Sequence, residues 1–370
     1  LFVATIRDVA REAGVSIATV SRVFNQTALV TESTARHVRA VATRMDYWPN
    51  SAARSLITHR THAIGVLLPD LYGEFFSEVI RGIDRVARRE KYQVLISSSH
   101  ANAETIVSAV RALRGRIDGL IVMAPDADAT AVIRDFASRF PVVLLNAGEV
   151  AAPCCSISVE NFEGAYAAVR HLASLGHTRI AMLTGPPGNL DAEQRRLGYR
   201  RALADAGLEL VPELELPGDF SELAGFDAAA VLARLEPRPT AVFAANDYMA
   251  IGLISALRDA DVRLPQEMAV VGFDDIAIAQ YLSPALTTVH VNACALGEQA
   301  MERLMPYARE RRPAEPHRET LATSLIVRAS CGAHPIAGTG ATGHRRRHRA
   351  LAAEVRHGEQ PVVRHEGTGV

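Results

Sequence analysis

Apolar residues recur every third or fourth position at the start of the chain, then gather into short unbroken runs. In TIRDVAREAGVSIATVSRVFN, residues 5–25, the residues Ile6, Val9, Ala10 and Ala13 share one helical face. Thr5 is placed to cap that helix, with Asp8 three positions on as the returning acid. Gly14 ends it, because glycine takes the positive φ of a helix stop without strain. Val15 follows as an apolar plug and Ser16 caps a second helix. Its Val20 and Val23 face inward, while Ile17, Ala18, Ser21, Arg22 and Asn25 face away. A third helix is predicted from Thr31 to about Asp46, with Val38, Val41 and Met45 on its inner side. Three short helices, a tight turn and an outward face mixing small residues with arginine describe a helix-turn-helix. An ordinary helical hairpin would not need the turn, the caps and the polar face to agree.

From His62 the pattern changes. AIGVLLP reads as a buried strand followed by a helix around Phe75–Arg89; QVLISSS is the next strand, followed by a helix near Glu104–Leu113. DGLIVMA, PVVLLNA, RIAMLTG, TAVFAAN and MAVVGFD are further apolar runs, each alternating with an amphipathic helical stretch. Such alternation predicts parallel sheets with helices on both faces. Between the two patterns lies PNSAARSLITHRTHA, residues 49–63. Pro49 closes the preceding segment, and Asn50 is placed to cap a helix of about Ser51–Leu56. So short a helix does not persist alone in water, so a plain linker is the alternative. After Cys331 periodicity disappears. Residues 334–370 are rich in Gly, Arg, His and Ala and are expected to be disordered, although RHRALAAEVRHG could form one short helix.

A chain of 370 residues is long enough for two or three domains, and its 48% hydrophobic content suits globular folding. The net charge of −1 argues against a wholly basic nucleic-acid binder. Charge is nonetheless uneven: residues 1–60 hold eight arginines and four acids, so that segment is +4 and favours a polyanion. Cys154, Cys155, Cys294 and Cys331 lack CxxC spacing and are expected to be buried, reduced thiols. No run reaches the ~20 apolar residues of a membrane span, and no signal sequence precedes the first helix, so the cytoplasm is the expected compartment. Neither a metal-ligand cluster nor a G-x-S-x-G elbow is present, so no metal, cofactor or catalysis is expected. GTGATG at 338–343 fits a dinucleotide pattern but joins no strand to a helix, and is set aside.

The opening stretch, followed by VTESTARHVRAVATRMDYWPNSAARSL, resembles the LacI/GalR family of bacterial transcription regulators almost position by position. The resemblance continues through HAIGVLLPD, NDYMAIGLISAL, LPQEMAVVGFDD and SLIVRASCG, covering roughly residues 4–333. It implies that the second helix enters the major groove of an operator. Ile17, Ala18 and Arg22 would then read base edges, with Thr5, Ser16, Thr19, Ser21 and Asn25 placed for phosphates or nearby edges. It also implies that Ser51–Leu56 is a hinge helix formed on DNA. Ala53 would let the backbones approach the minor groove and Leu56 would wedge between base pairs. Ile57 stands where relatives often have a basic residue.

For the rest, the resemblance implies a periplasmic-binding-protein-like pair of α/β lobes, joined by three crossovers around an effector cleft. Asp274 then accepts ligand hydroxyls, Arg195 contacts ligand and Phe220 stacks on a sugar ring. Phe75 and Phe76 form a second apolar wall, while Asn246 and Asn146 end strands at the cleft. Many relatives have aspartate then arginine where this chain has Asn146 and Ala147, which points to a different ligand. An aromatic, a carboxylate and an amide suit a polyol. The expected organisation is a helix-turn-helix domain over 1–48, a hinge over 49–61, a two-lobe ligand-binding and dimerisation domain over 62–333 and a tail over 334–370. The expected function is a homodimeric, sugar-responsive repressor of a palindromic operator. A sugar-binding transport protein is the rival, against which residues 5–56 argue. An enzyme on the same scaffold lacks a catalytic constellation.

Overall fold

The computed structural model describes residues 4–24, 30–48, 60–99, 103–123, 133, 135–147 and 154–333. Asn25, Ala53, Leu56 and Ile57, the expected hinge helix and the expected disordered tail lie outside the described residues.

Three helices open the chain: α1 (Ile6–Glu12), α2 (Ile17–Phe24) and α3 (Glu32–Arg44). They close around Val9, Ala10, Ala13, Val20, Val23, Val38, Val41 and Ala42, the positions that the helical period put on inner faces plus Ala42. The capping box forms as read: Thr5 Oγ1 accepts from Asp8 N, and Asp8 Oδ2 accepts from Thr5 N at 3.0 Å. Gly14 sits at φ +63°. The third helix stops two residues short of the expected Asp46, which has itself turned left-handed at φ +50°.

The remainder forms two six-stranded sheets. In the first lobe β1 (Ala63–Leu68), β2 (Gln93–Ser98), β3 (Gly119–Met123), β4 (Val142–Leu145), β5 (Cys155–Val159) and β11 (His317–Leu321) run parallel in the order β11-β5-β4-β3-β1-β2. In the second, β6 (Ile180–Leu183), β7 (Glu215–Leu216), β8 (Ala241–Ala244), β9 (Ala269–Asp274), β10 (Thr287–His290) and β12 (Ser324–Ile326) follow the order β12-β10-β9-β8-β6-β7. β12 pairs antiparallel with β10, Val289 opposite Leu325, a departure from the all-parallel expectation. A strand that re-enters the sheet straight from the other lobe has no helix to turn it around, so it arrives reversed.

Successive residues of β1 serve opposite faces. Ile64, Val66 and Leu68 join the main core, while Ala63 and Leu67 join a second cluster with Ile106, Leu120 and Leu144. Both faces are covered, which is why these strands read as continuous apolar runs. Helices α4 (Glu74–Arg89) and α5 (Ala103–Leu113) belong to the first lobe, and α6 (Asn161–Ser174), α7 (Leu190–Asp205), α8 (Glu222–Leu232) and α9 (Asp247–Asp259) to the second. α10 (Ala293–Glu310) returns to pack on α4. The chain thus crosses between lobes after β5, after β10 and between β11 and β12. Among the cysteines, Cys294 is only partly buried, contrary to expectation, because it opens α10 at the second crossover. No helix among the described residues is long and apolar enough to cross a membrane.

Candidate functional site

Two places gather the singled-out residues. The first is the outer face of α2. Ser16 Oγ accepts from Thr19 N at 3.1 Å and starts the helix, while Val20 and Val23 anchor it. Ile17, Ala18 and Arg22 are exposed on the face away from that anchor, and Thr19 and Ser21 are half-buried. Ile17 opens this eight-residue helix and remains 47% exposed, an apolar side chain left available to a partner. Thr5 is exposed but already engaged in its cap, its hydroxyl donating to Asp8 at 2.7 Å. Within the three-helix unit Arg11, Arg36 and Arg44 pair with Asp8, Glu32 and Glu12.

The second is a cavity of about 440 Å³ between the lobes. Its walls come from the carboxyl ends of strands, as open parallel sheets dictate. Phe75 and Phe76 follow β1, Arg195 follows β6, Phe220 follows β7, Asn246 follows β8, and Asp274 ends β9; all six line it. Asn146 does not. It is 3% exposed and sits behind the wall, donating from Nδ2 to Asp191 Oδ2 at 2.9 Å, with its Oδ1 unpartnered among the described residues. Its expected place at the cleft surface is therefore corrected: it reaches the cavity only through Asp191.

Arg195 is 6% exposed, and each of its three nitrogens faces a partner. Nε donates to Asn161 Oδ1 at 2.8 Å, Nη1 donates to the Ala245 carbonyl, and Nη2 faces Asp274 Oδ1 at 3.5 Å. Its guanidinium lies 3.8 Å from the Phe273 ring centre and 5.7 Å from that of Phe220. Burial pushes the Asp274 carboxyl up to about 6, with Arg195 pulling the other way and Asp191 adding to the rise. Phe220 and Asp274 both hold positive φ, +71° and +110°. Such conformations persist only when neighbours impose them. Here Asn246 imposes one of them: its Nδ2 donates to the Phe220 carbonyl at 2.9 Å while Oδ1 caps α9 through Met249 N.

Several contributors escaped the sequence reading. Asp191 accepts from both Asn146 and Asn161, joining Arg195 and Asp274 into one polar chain. Asp247, wholly buried, accepts from Thr288 Oγ1 and from Ile276 N, and so braces the turn that follows Asp274. Burial, then the nearby Asp274 charge, pushes its carboxyl well above the usual range. Tyr72 and Tyr248 add rings to the cavity and tie the lobes together: Tyr72 Oη donates to Glu222 at 3.2 Å, and Glu74 N donates to Tyr248 Oη at 2.7 Å. An acid directly after a strand-end asparagine was a signal for Asp247. For Asp191 nothing local distinguished it from an ordinary first-turn acid.

A model of the bacterial regulatory proteins of the lacI family matches residues 5–50, and one of a periplasmic binding protein-like domain matches residues 169–331. The chain is 36% identical over 331 residues to the HTH-type transcriptional repressor PurR of Vibrio atlanticus (strain LGP32), spanning 87% of this chain and 98% of that protein. It is 36% identical over 306 residues to the ribose operon repressor of Escherichia coli (strain K12), spanning 82% and 92%. The lac repressor dimer bound to operator and the anti-inducer ONPF superposes with a TM-score of 0.81 at 31% identity, over 90% of this chain and 100% of that one. A complex of the transcriptional regulator CelR with cellobiose gives 0.67 at 27% identity, over 88% and 99%.

Proposed function

The chain belongs to the lacI family of bacterial regulatory proteins, and from that premise we propose how its two sites divide the work. It is a ligand-responsive transcriptional repressor and not an enzyme, and its partners are operator DNA, a second copy of itself and a small-molecule effector. Residues 1–48 carry DNA recognition, 49–61 form the hinge, 62–333 hold effector and dimer contacts, and 334–370 are dispensable for both. The protein acts in the cytoplasm, where its operator is. In the major groove Arg22 pairs with a guanine, and Ile17 or Ala18 touches a thymine methyl. Thr5, Ser16, Thr19, Ser21 and Asn25 hold phosphates or nearby edges, Ala53 and Ile57 lie along the minor groove, and Leu56 wedges the operator centre.

The effector is a sugar or sugar derivative, held by Asp274, Arg195 and Phe220 against Phe75 and Phe76, with Asn146 and Asn246 positioning the groups that touch it. The observation that carries this reading is Asp274: a nearly buried carboxylate at a strand end, facing a cavity walled by aromatic rings. Operator affinity, measured by fluorescence polarisation on a labelled palindrome with and without effector, is the test. Asp274→Ala should lose the effector response while binding operator like the wild type; an unaltered response would place the effector elsewhere. Arg22→Ala should lose about 1–3 kcal/mol of discrimination at one base pair per half-site. Equal losses across all operator variants would reduce Arg22 to a phosphate contact.

A further inference from the structure

The charge along the cleft walls says more about the effector, provided the cleft is the effector site. Four carboxylates line it: Asp70, Asp191, Asp219 and Asp274. Arg195 is the one lining cation among the described residues, and its nitrogens already face Asn161, the Ala245 carbonyl and Asp274. Helix N-termini are the other usual source of positive potential, since strand-end clefts have helices starting at their rim. Each helix that starts here brings its own acid in the first turn: Glu74 in α4, Asp191 and Glu193 in α7, Glu222 in α8 and Asp247 in α9. The side chains of Asn189, Ser221 and Asn246 also occupy first-turn N–H groups. An anion would therefore compete with partners inside the protein for both sources of attraction.

What remains unsatisfied is an acceptor. The Asp274 side chain is nine-tenths buried, and its carboxylate accepts no hydrogen bond from any described residue, although its backbone carbonyl accepts from Val291 N; Arg195 Nη2 at 3.5 Å is its nearest cationic group. A buried carboxylate in that state calls for a donor from the ligand. The rings of Tyr72, Phe75, Phe76, Phe220 and Tyr248 complete the walls. Their faces accept the apolar side of a sugar ring and attract cations, but repel anions.

We propose that the cleft admits only effectors without negative charge: a neutral or amine-bearing polyhydroxylated ring binds, and a phosphate or carboxylate on the same ring prevents it. The repulsion has two depths. Asp70 and Asp219 are at the exposed rim, where salt weakens them, whereas Asp191 and Asp274 act inside the cavity, where screening is poor.

The experiment uses the full chain and matched sets of probes at millimolar concentration: ribose with ribose 5-phosphate, galactose with galacturonate, and glucose with glucosamine, glucose 6-phosphate and glucuronate. Thermal shift finds the binders and calorimetry gives their affinities. A neutral or amine-bearing member should bind, its anionic counterpart about a hundredfold more weakly or not at all, as expected for like charges in a partly desolvated site. In Asp70→Asn/Asp219→Asn, where each asparagine can still accept the backbone N–H bonds of its parent, that ratio should shrink about tenfold, most visibly at low salt. An anionic member binding as tightly as its neutral partner, a ratio untouched by the double substitution, or no binder in any set would each overturn the proposal. Asp274→Ala separates this from failure of the cleft reading. A probe that keeps full affinity for Asp274→Ala sits elsewhere and defeats the cleft assignment. A probe that loses affinity there, yet binds the wild type equally well in anionic form, defeats only the charge rule.

Discussion

Asp274 shows what one side chain can contribute in opposite directions. Its carboxyl has an ordinary value of 3.8 and is raised to about 6 in the fold, chiefly by burial. A carboxyl raised on folding contributes fully to stability below its unfolded value and loses that contribution as pH rises through the folded one. At neutral pH the ligand-free protein is therefore less stable, on the order of 2–3 kcal/mol, than if this group were uncharged. Asp274→Asn should raise the melting temperature at pH 7.5, and the gain should shrink steadily between pH 6 and pH 4. A gain independent of pH would mean that packing, not ionisation, is responsible. The sequence placed Asp274 correctly at a strand end, since VVGFD reads as a strand followed by a break. It could not show that Asn146 is withdrawn behind Asp191, because which of two strand-end polar residues reaches the surface depends on the φ of +51° that the fold imposes on Asn146.

Among the elements, α2 depends on local chemistry and the helix pair α4–α10 on close approach. Ser16→Ala removes the bond to Thr19 N and should cost about 1 kcal/mol, seen as faster hydrogen exchange at amides 17–24 of the intact chain. Protection left unchanged there would show that packing by Val20 and Val23 suffices. Gly297 is a different case. A Cβ added to it would lie 2.0 Å from the Val79 carbonyl, and one on Gly82 would lie 2.0 Å from the Cys294 carbonyl, so each helix leaves a gap for the backbone of the other. Gly297→Ala should destabilise by about 3 kcal/mol or more, through overpacking that backbone cannot relieve. Denaturant unfolding measures it, and a loss under about 1 kcal/mol would mean that the helices separate freely. Helix boundaries near Thr5, Gly14 and Ser16 were legible because caps and stops act within four residues. β5, β11 and β12 were not legible. CSISV follows a proline and a cysteine, HRETL is polar, and SLI is too short to show a period, so each is a strand only because a neighbouring strand pairs with it.

At the scale of the molecule, a ligand-responsive repressor couples effector to operator, by about 1–3 kcal/mol in a regulator of this kind. Cross-lobe bonds offer the means. Ala277 N donates to Glu74 Oε1 at 2.8 Å, beside the Glu74–Tyr248 and Tyr72–Glu222 contacts, so the segment Tyr72–Glu74 is bonded to the second lobe at three points. Tyr248→Phe should change how far effector shifts operator affinity while altering operator affinity alone very little. An identical shift in the variant would exclude this strap from the coupling. The single tryptophan, Trp48, is 81% exposed at the edge of residues 49–61. If those residues become a helix against operator, Trp48 emission should move to the blue on adding operator and back on adding effector. Constant emission across that titration would argue against ordering of the hinge.

The sequence by itself determined what is local or periodic: the three-helix unit with its caps and turn, the alternation that makes mostly parallel sheets, and the strand-end positions of Phe75, Asn246 and Asp274. These follow from side-chain periodicity and from the rule that parallel strands end on one side. Phe220, by contrast, follows a two-residue strand and was placed by the family resemblance alone. Only the tertiary structure decided which polar groups satisfy one another across long separations: Asp191 with Asn146 and Asn161, Asp247 with Thr288 and Arg195 with Asp274. Such pairings carry no period, and each exists because burial makes an unpaired polar group costly wherever the chain happens to bring it.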